Sequence, residues 1–368
     1  MRLALSTFAI LLLTASIATA QPGNSLPSWN ETESKATIIA FVESVTDRSA
    51  DTFVPESERV AVFDNDGALW CERPVYFQLL FAIDQVNAMK SEHPEWRTTE
   101  PFKSVLAGDF QSVAASGEQG LKKLLAASHT GMTSDTFQNA VREWLQTARH
   151  PTLDRRYTEL VYQPQLELLD YLRTNGFKTY IVSGGGIDFV RVFAEKVYGI
   201  PPEQVVGSSV EATYEVRDGV PVIVKQPQGL FLDDKEGKPV GIYQHIGRRP
   251  ILAVGNSDGD FQMLEYTTAG EGNRLGVLVH HDDAEREFAY DRDSHIGKLS
   301  RGLDEAGQRG WVIELAGGGI HPGAVDHHGH GVGDLQAPEH RSVPGRAGGQ
   351  HLADEADVVA VGVEDAML

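Results

Sequence analysis

The chain has 368 residues and a formal net charge of −20, from 32 Lys and Arg against 52 Asp and Glu. So acidic a surface excludes nucleic acid as a partner, because phosphate backbones are held by basic surfaces, and it opposes docking on anionic lipid. Cys71 is the only cysteine, so no intramolecular disulfide is available and packing must hold the fold.

Residues 1–20 read as an export signal. Arg2 gives the positive start, the apolar run from Leu3 to Ile17 is too short to span a bilayer, and Ala18-Thr19-Ala20 is an A-x-A cleavage site. The expected mature chain begins at Gln21, in the periplasm or outside the cell, with no membrane insertion after cleavage.

A polar lead-in is followed by helical apolar spacing over Ala36 to Val45 and by a short strand over Arg59 to Phe63. From Pro74 to Leu172 the text is helical, with Ser134 as an N-cap and Asn175-Gly176 as the final stop. A second buried strand, Lys178 to Val182, ends in Ser183-Gly184-Gly185-Gly186, and a helix over Ile187 to Val197 follows. Val210 to Val224 reads as a hairpin turning on Asp218-Gly219, and Pro239 to Gly247 as a short helix. Strands from Ile251 and from Arg274, a helix over His295 to Gly310 and a last strand over Trp311 to Glu314 complete the pattern.

Strands separated by helices predict an α/β fold, a Rossmann-like parallel sheet core. The expected division is a signal peptide (1–20), an N-terminal helix with the first core strand (21–73), a helical cap inserted between the first two motif strands (74–172), the rest of the α/β core (173–315) and a Gly/His-rich tail (316–368). The tail contains no lysine and no aromatic residue, which predicts disorder. Its Asp326-His327-His328-Gly329-His330 run is expected to be solvated rather than metal-bound.

In a parallel sheet, the strand ends Asp64-Asn65-Asp66-Gly67, Ser183-Gly184-Gly185-Gly186 and Gly255-Asn256-Ser257-Asp258-Gly259-Asp260 fall along one edge, where open α/β folds bind ligands. Two aspartates one residue apart share a face of an extended chain, and their repulsion calls for a cation or a shared proton. A hard cation such as Mg²⁺ takes oxygen ligands, and a serine before glycines suits a phosphate. Lys238 is the expected cationic partner, with Lys235 as its competitor. His280-His281-Asp282-Asp283 reads as a polar turn, and Trp70, Trp96 and Trp144 as packing. Nothing near Cys71 predicts an activated thiolate.

The ordered set "FDNDGALW", "TYIVSGGG" and "GKPVGIYQHIGRRPILAVGNSDGD" resembles the haloacid dehalogenase-like (HAD) superfamily of hydrolases, in its phosphoserine phosphatase-like branch, over about residues 55 to 315. The resemblance implies a Mg²⁺-dependent phosphomonoester hydrolase acting on a small phosphorylated metabolite, such as a phosphoserine-like one. It makes Asp64 the nucleophile that becomes an aspartyl-phosphate, and Asp66 the acid and then the base. Ser183, Gly184 and Lys238 would bind the phosphoryl group, and Asp64, Asp66, Asn256 and Asp260 the metal. Two residues depart from the family pattern: Ala68 replaces the usual Thr or Val, and Asn256 replaces a metal-binding Asp, leaving Asp258 unassigned. A phosphotransferase or phosphomutase shares the first half-reaction. A catalytically inactive secreted binding protein is the reading from another class.

Overall fold

The computed structural model describes residues 26–315, Arg286 excepted; the expected export signal (1–20) and the tail (316–368) lie outside the described residues. β1 (Val60–Phe63), β2 (Lys178–Gly186), β3 (Val205–Ser208), β6 (Leu252–Gly255), β7 (Leu275–His280) and β8 (Val312–Leu315) form one sheet, while β4 (Ala212–Arg217) and β5 (Val220–Lys225) form a separate antiparallel hairpin. The sheet order is β3-β2-β1-β6-β7-β8 and every neighbouring pair is parallel. Successive side chains feed opposite faces: Ala61, Phe63, Ile181, Val254 and Val277 join one core cluster, and Val60, Val62, Val182, Ala253 and Leu278 the other. This is the expected α/β parallel-sheet core.

The helices are α1 (Glu33–Thr46), α2 (Phe77–Met89), α3 (Phe102–Ala107), α4 (Phe110–Ala115), α5 (Gly117–Ala127), α6 (Ser134–Thr147), α7 (Gln163–Thr174), α8 (Ile187–Arg191), α9 (Ala194–Tyr198), α10 (Gly237–Gly241), α11 (Phe261–Thr268) and α12 (Arg301–Arg309). The helices α2 to α7 lie between β1 and β2, as a cap inserted there requires. The last of them, α7, packs against β2 and buries Leu168, Leu169 and Leu172 in the main core, which makes it the crossover back to the sheet. The helices α2, α3 and α5 enclose a smaller cluster around Leu79, Ile83, Val86, Trp96, Phe102 and Leu124. Among the described residues no helix is long and apolar enough to cross a membrane.

Several local expectations shift. β3 was not expected; four residues including Gly207 are too short a run to show a period. β2 continues through its glycines to Gly186, with an irregular register between Ser183 and Gly186. The helix expected over Ile187 to Val197 is two short helices, α8 and α9. The cap of α6 is Thr133, whose hydroxyl accepts from Thr136 N at 3.1 Å, and Ser134 is the first helical residue. The hairpin turns on Asp218-Gly219 as expected, both with positive φ (51° and 80°).

Candidate active site

Asp64 directly follows β1, Asn256 directly follows β6, and Ser183 lies among the last residues of β2, so the order of these adjacent strands gathers the three motifs at one edge. Asp64 donates its backbone N–H to Val254 O at 2.9 Å, which fixes the end of β1 against β6. The chain then folds back: Leu69 N and Trp70 N both bond Asn65 O, and Gly67 takes φ +78°. A Cβ at Gly67 would lie 2.0 Å from Asn256 Nδ2 and 2.3 Å from Glu72 Oε1, so the turn admits only glycine. His281, buried, donates from Nε2 to Gly67 O at 2.7 Å and stacks on Tyr290 at 4.6 Å. The expected polar turn at 280–283 thus clamps the Asp64–Gly67 turn through His281.

Lys238, 2% exposed, enters from α10 and gives all three of its protons: to Asp64 Oδ1 at 2.6 Å, Asp260 Oδ1 at 2.5 Å and Val182 O at 2.9 Å. Burial alone would lower its pKa, but Asp260 and Asp64 raise it further than burial pulls, so it stands as a fixed ammonium. Burial pushes the Asp64 carboxyl well up, Asp260 adds to this, and Lys238 opposes it. Asp66 is raised by burial against the bond that Trp70 Nε1 donates to its Oδ1 at 2.8 Å. Trp70 packs as expected, stacked on Phe193 at 4.4 Å, and its indole N–H also orients the Asp66 carboxyl.

Asp260 has no oxygen to spare. Its Oδ2 accepts from Asn256 N (2.9 Å), Ser257 N (3.1 Å) and Ser257 Oγ (3.2 Å), while Lys238 holds Oδ1. Asp258 turns away from the site and accepts from Ser300 N, Arg301 N and Gly302 N at 2.9–3.2 Å, at the start of α12. Lys235 sits at positive φ (50°) and lines a neighbouring cavity, so Lys238 is the lysine at the aspartates. Ser183 Oγ accepts from Gly185 N at 3.0 Å, and Gly186 N bonds Gln78 Oε1 of α2 at 2.7 Å. A Cβ on Gly186 would meet Gln78 Nε2 at 2.6 Å, so any larger residue there would displace the end of the Gln78 side chain.

Glu72 is the group that motif reasoning missed. It is 2% exposed, and its Oε1 accepts from Asn256 Nδ2 at 2.7 Å and from Tyr290 OH at 2.8 Å. Burial pushes its carboxyl well above the usual range. Its only sequence signal is its place directly after the Trp70-Cys71 end of the loop. Burial raises the Cys71 thiol well up, so it is inert, as expected. Asp64, Asp66, Glu72, Gly184, Lys238 and Asp260 all line one cavity of 150 Å³.

The donor set there is oxygen, which suits a hard cation. Asn256 is 1% exposed and its Oδ1 has no partner, an orphaned buried acceptor that an ion would satisfy. Among the described residues no group of three His, Cys, Asp or Glu side chains converges as a metal cluster, so carbonyl and amide oxygens must complete any shell.

Residues 61–265 match the family described as haloacid dehalogenase-like hydrolase. No curated protein matches the chain. Among solved structures the chain is similar to a conserved protein of unknown function from Anaerococcus prevotii, at 15% identity and TM-score 0.47, over 71% of this chain and 89% of that one. It is similar to a protein of unknown function from Bordetella pertussis (16% identity, TM-score 0.41, 70% and 97% covered). A phosphoserine phosphohydrolase-like protein from Francisella tularensis is also similar (17% identity, TM-score 0.34, 60% and 87% covered).

Proposed function

The chain belongs to the haloacid dehalogenase-like hydrolases, and from that premise we propose that it is a Mg²⁺-dependent phosphomonoester hydrolase working through an aspartyl-phosphate on Asp64. The observation that supports this reading best is the buried Lys238 ammonium on Asp64 Oδ1 at 2.6 Å, with Asp66 lining the same cavity. Burial and Asp260 push the Asp64 carboxyl up, and the Lys238 ammonium opposes them, favouring the ionised form that attacks phosphorus.

In the first half-reaction a carboxylate oxygen of Asp64 forms a bond to phosphorus as the ester P–O bond breaks. The departing alkoxide takes the proton of Asp66, whose raised pKa suits it to carry one. In the second, Asp66 as carboxylate takes a proton from water, the hydroxide attacks phosphorus, and phosphate leaves as Asp64 is restored. Trp70 orients Asp66 throughout. The Ser183 hydroxyl, which accepts from Gly185 N, offers its own proton to the phosphoryl oxygens. Lys238, whose three protons are already held by Asp64, Asp260 and Val182 O, offers its positive charge beside them.

Asp64, the Asp66 backbone carbonyl and Asn256 Oδ1 would hold Mg²⁺, with Glu72 alongside supplying the charge that Asn256 lacks. When bound, the ion supplies neutralisation of the transferring phosphoryl group. Asp260 is assigned a positioning role instead of ligation, since protein donors occupy both of its oxygens. The partner is a small phosphorylated substrate, met outside the cytosol after cleavage near Ala20.

The test is phosphate release from a panel of monoesters with and without Mg²⁺, on protein starting at Gln21, beside Asp64→Asn. Mg²⁺-dependent release is expected, lost at least about 10³-fold in the variant, with a phosphoryl adduct on the Asp64 peptide after acid quench. Folded wild type as inert as the variant across the panel would sink the reading.

A further inference from the structure

We propose, resting on the phosphatase reading above, that the alcohol part of the substrate is a largely apolar group of phenylalkyl size, seated in a second cavity that opens from the catalytic one. That cavity measures 480 Å³, a volume suited to a small organic ligand. Gln78, Leu125, Gly184, Leu232 and Asp234 line both cavities, so an ester with its phosphoryl group at Asp64 has a continuous path into the larger space.

The walls of the larger cavity are mostly carbon. Ile187 and Phe189 come from α8, Phe137 from α6, and Val210 and Leu230 from the segments flanking the hairpin. Leu230 and Leu232 are 45% and 42% exposed, apolar side chains left facing water at a cavity they line. Burying them under an apolar ligand is favourable at about 25 cal/mol per Å². The charges lining it balance, Lys122, Lys225 and Lys235 against Asp188, Asp234 and Glu236. Lys225 is ion-paired with Asp188 and lies 5.2 Å over the Phe137 ring, and Lys235 is flanked in sequence by Asp234 and Glu236. His129 is held neutral, its pKa lowered to about 4 by burial and by Lys225. A zwitterionic phosphoamino acid would leave its charged end on these apolar walls, where an unpaired charge is costly.

The test compares ethyl phosphate, phosphoserine and 2-phenylethyl phosphate. All three are primary alkyl esters with leaving groups of similar basicity, so differences in kcat/KM report binding of the alcohol part. The 2-phenylethyl ester is expected to exceed ethyl phosphate by about 30- to 100-fold, the worth of burying a phenyl ring, with phosphoserine near ethyl phosphate. Leu230→Asp, at a half-exposed position, should cut that ratio at least about tenfold. A ratio near one, or a preference for phosphoserine, overturns the inference and leaves the phosphatase reading intact. If no ester is turned over, the phosphatase reading is the one that has failed. Calorimetry then decides the cavity: 3-phenylpropylphosphonate binding at least about tenfold tighter than propylphosphonate sustains it, and equal or absent binding overturns it.

Discussion

Glu72 is a buried carboxylate whose bonded neighbours, Asn256 Nδ2 and Tyr290 OH, are both neutral. A charge in such a place needs a cation, and the orphaned Asn256 Oδ1 stands on the same amide. If Glu72 supplies the charge that Asn256 lacks, Glu72→Gln should weaken Mg²⁺ binding by calorimetry about tenfold, the usual scale for a supporting ligand. Asn256→Asp alone should gain nothing, because it sets two carboxylates in contact. The double variant exchanges charge and amide, and should return to within about threefold of wild type. Unchanged Mg²⁺ affinity in Glu72→Gln would refute the idea. The roles proposed for the nucleophile, its partner acid and the lysine come from the family resemblance. Asp64 and Asp66 were legible as a pair because strand alternation and the Gly turn set them on one face, and Lys238 because it opens the short helix leading into the acidic strand. Glu72, Tyr290 and Gln78 were not, because they reach the site from loops and a cap helix with no spacing rule linking them to it.

Among elements, α12 shows how an acidic loop can mislead. Asp258 sits between two candidate metal ligands, yet three backbone N–H groups at the start of α12 bond its carboxylate. These are donors a helix cannot satisfy internally, and an acid there also meets the helix dipole. Asp258→Ala should therefore cost about 1–2 kcal/mol in urea unfolding, while Mg²⁺ affinity changes less than about twofold. A collapse of Mg²⁺ binding in a stable variant would return Asp258 to the metal shell. The helix itself was over-read in the sequence, since its pattern runs from His295 and the structure begins it at Arg301. The turn chemistry of Asp218-Gly219 was legible, but the docking of the hairpin was not. Lys225 N bonds Met132 O and Gly131 N bonds Lys225 O, each at 3.0 Å, a pairing of the hairpin with the α5–α6 turn that no local pattern encodes.

At the scale of the molecule the parallel sheet was legible, because buried strands between helices permit little else, and its order then places three motifs side by side. The second cavity was not, because its walls meet only when the helices α5, α6 and α8 and the hairpin come together. The same assembly concentrates acid in the interior. Burial pushes Asp64 and Glu72 well up and raises Asp66, and it brings Asp233 to about 7. Asp233 is fully buried, with neither carboxylate oxygen partnered. A carboxyl whose folded pKa is raised favours the fold in its protonated form. Its stabilisation is complete below the unfolded value and is lost as pH rises through the folded one. For Asp233 the window runs from the ordinary 3.8 to about 7, worth about 4 kcal/mol at 1.36 kcal/mol per unit. In EDTA, urea midpoints should fall steadily from pH 5 to pH 8, and Asp233→Asn should flatten the fall and raise the midpoint at pH 8. Added Mg²⁺ should stabilise wild type more at pH 8 than at pH 5, because deprotonated Asp64 and Glu72 are what it binds. Midpoints independent of pH over that range would mean that these acids find, in solution, partners other than the ones they have here.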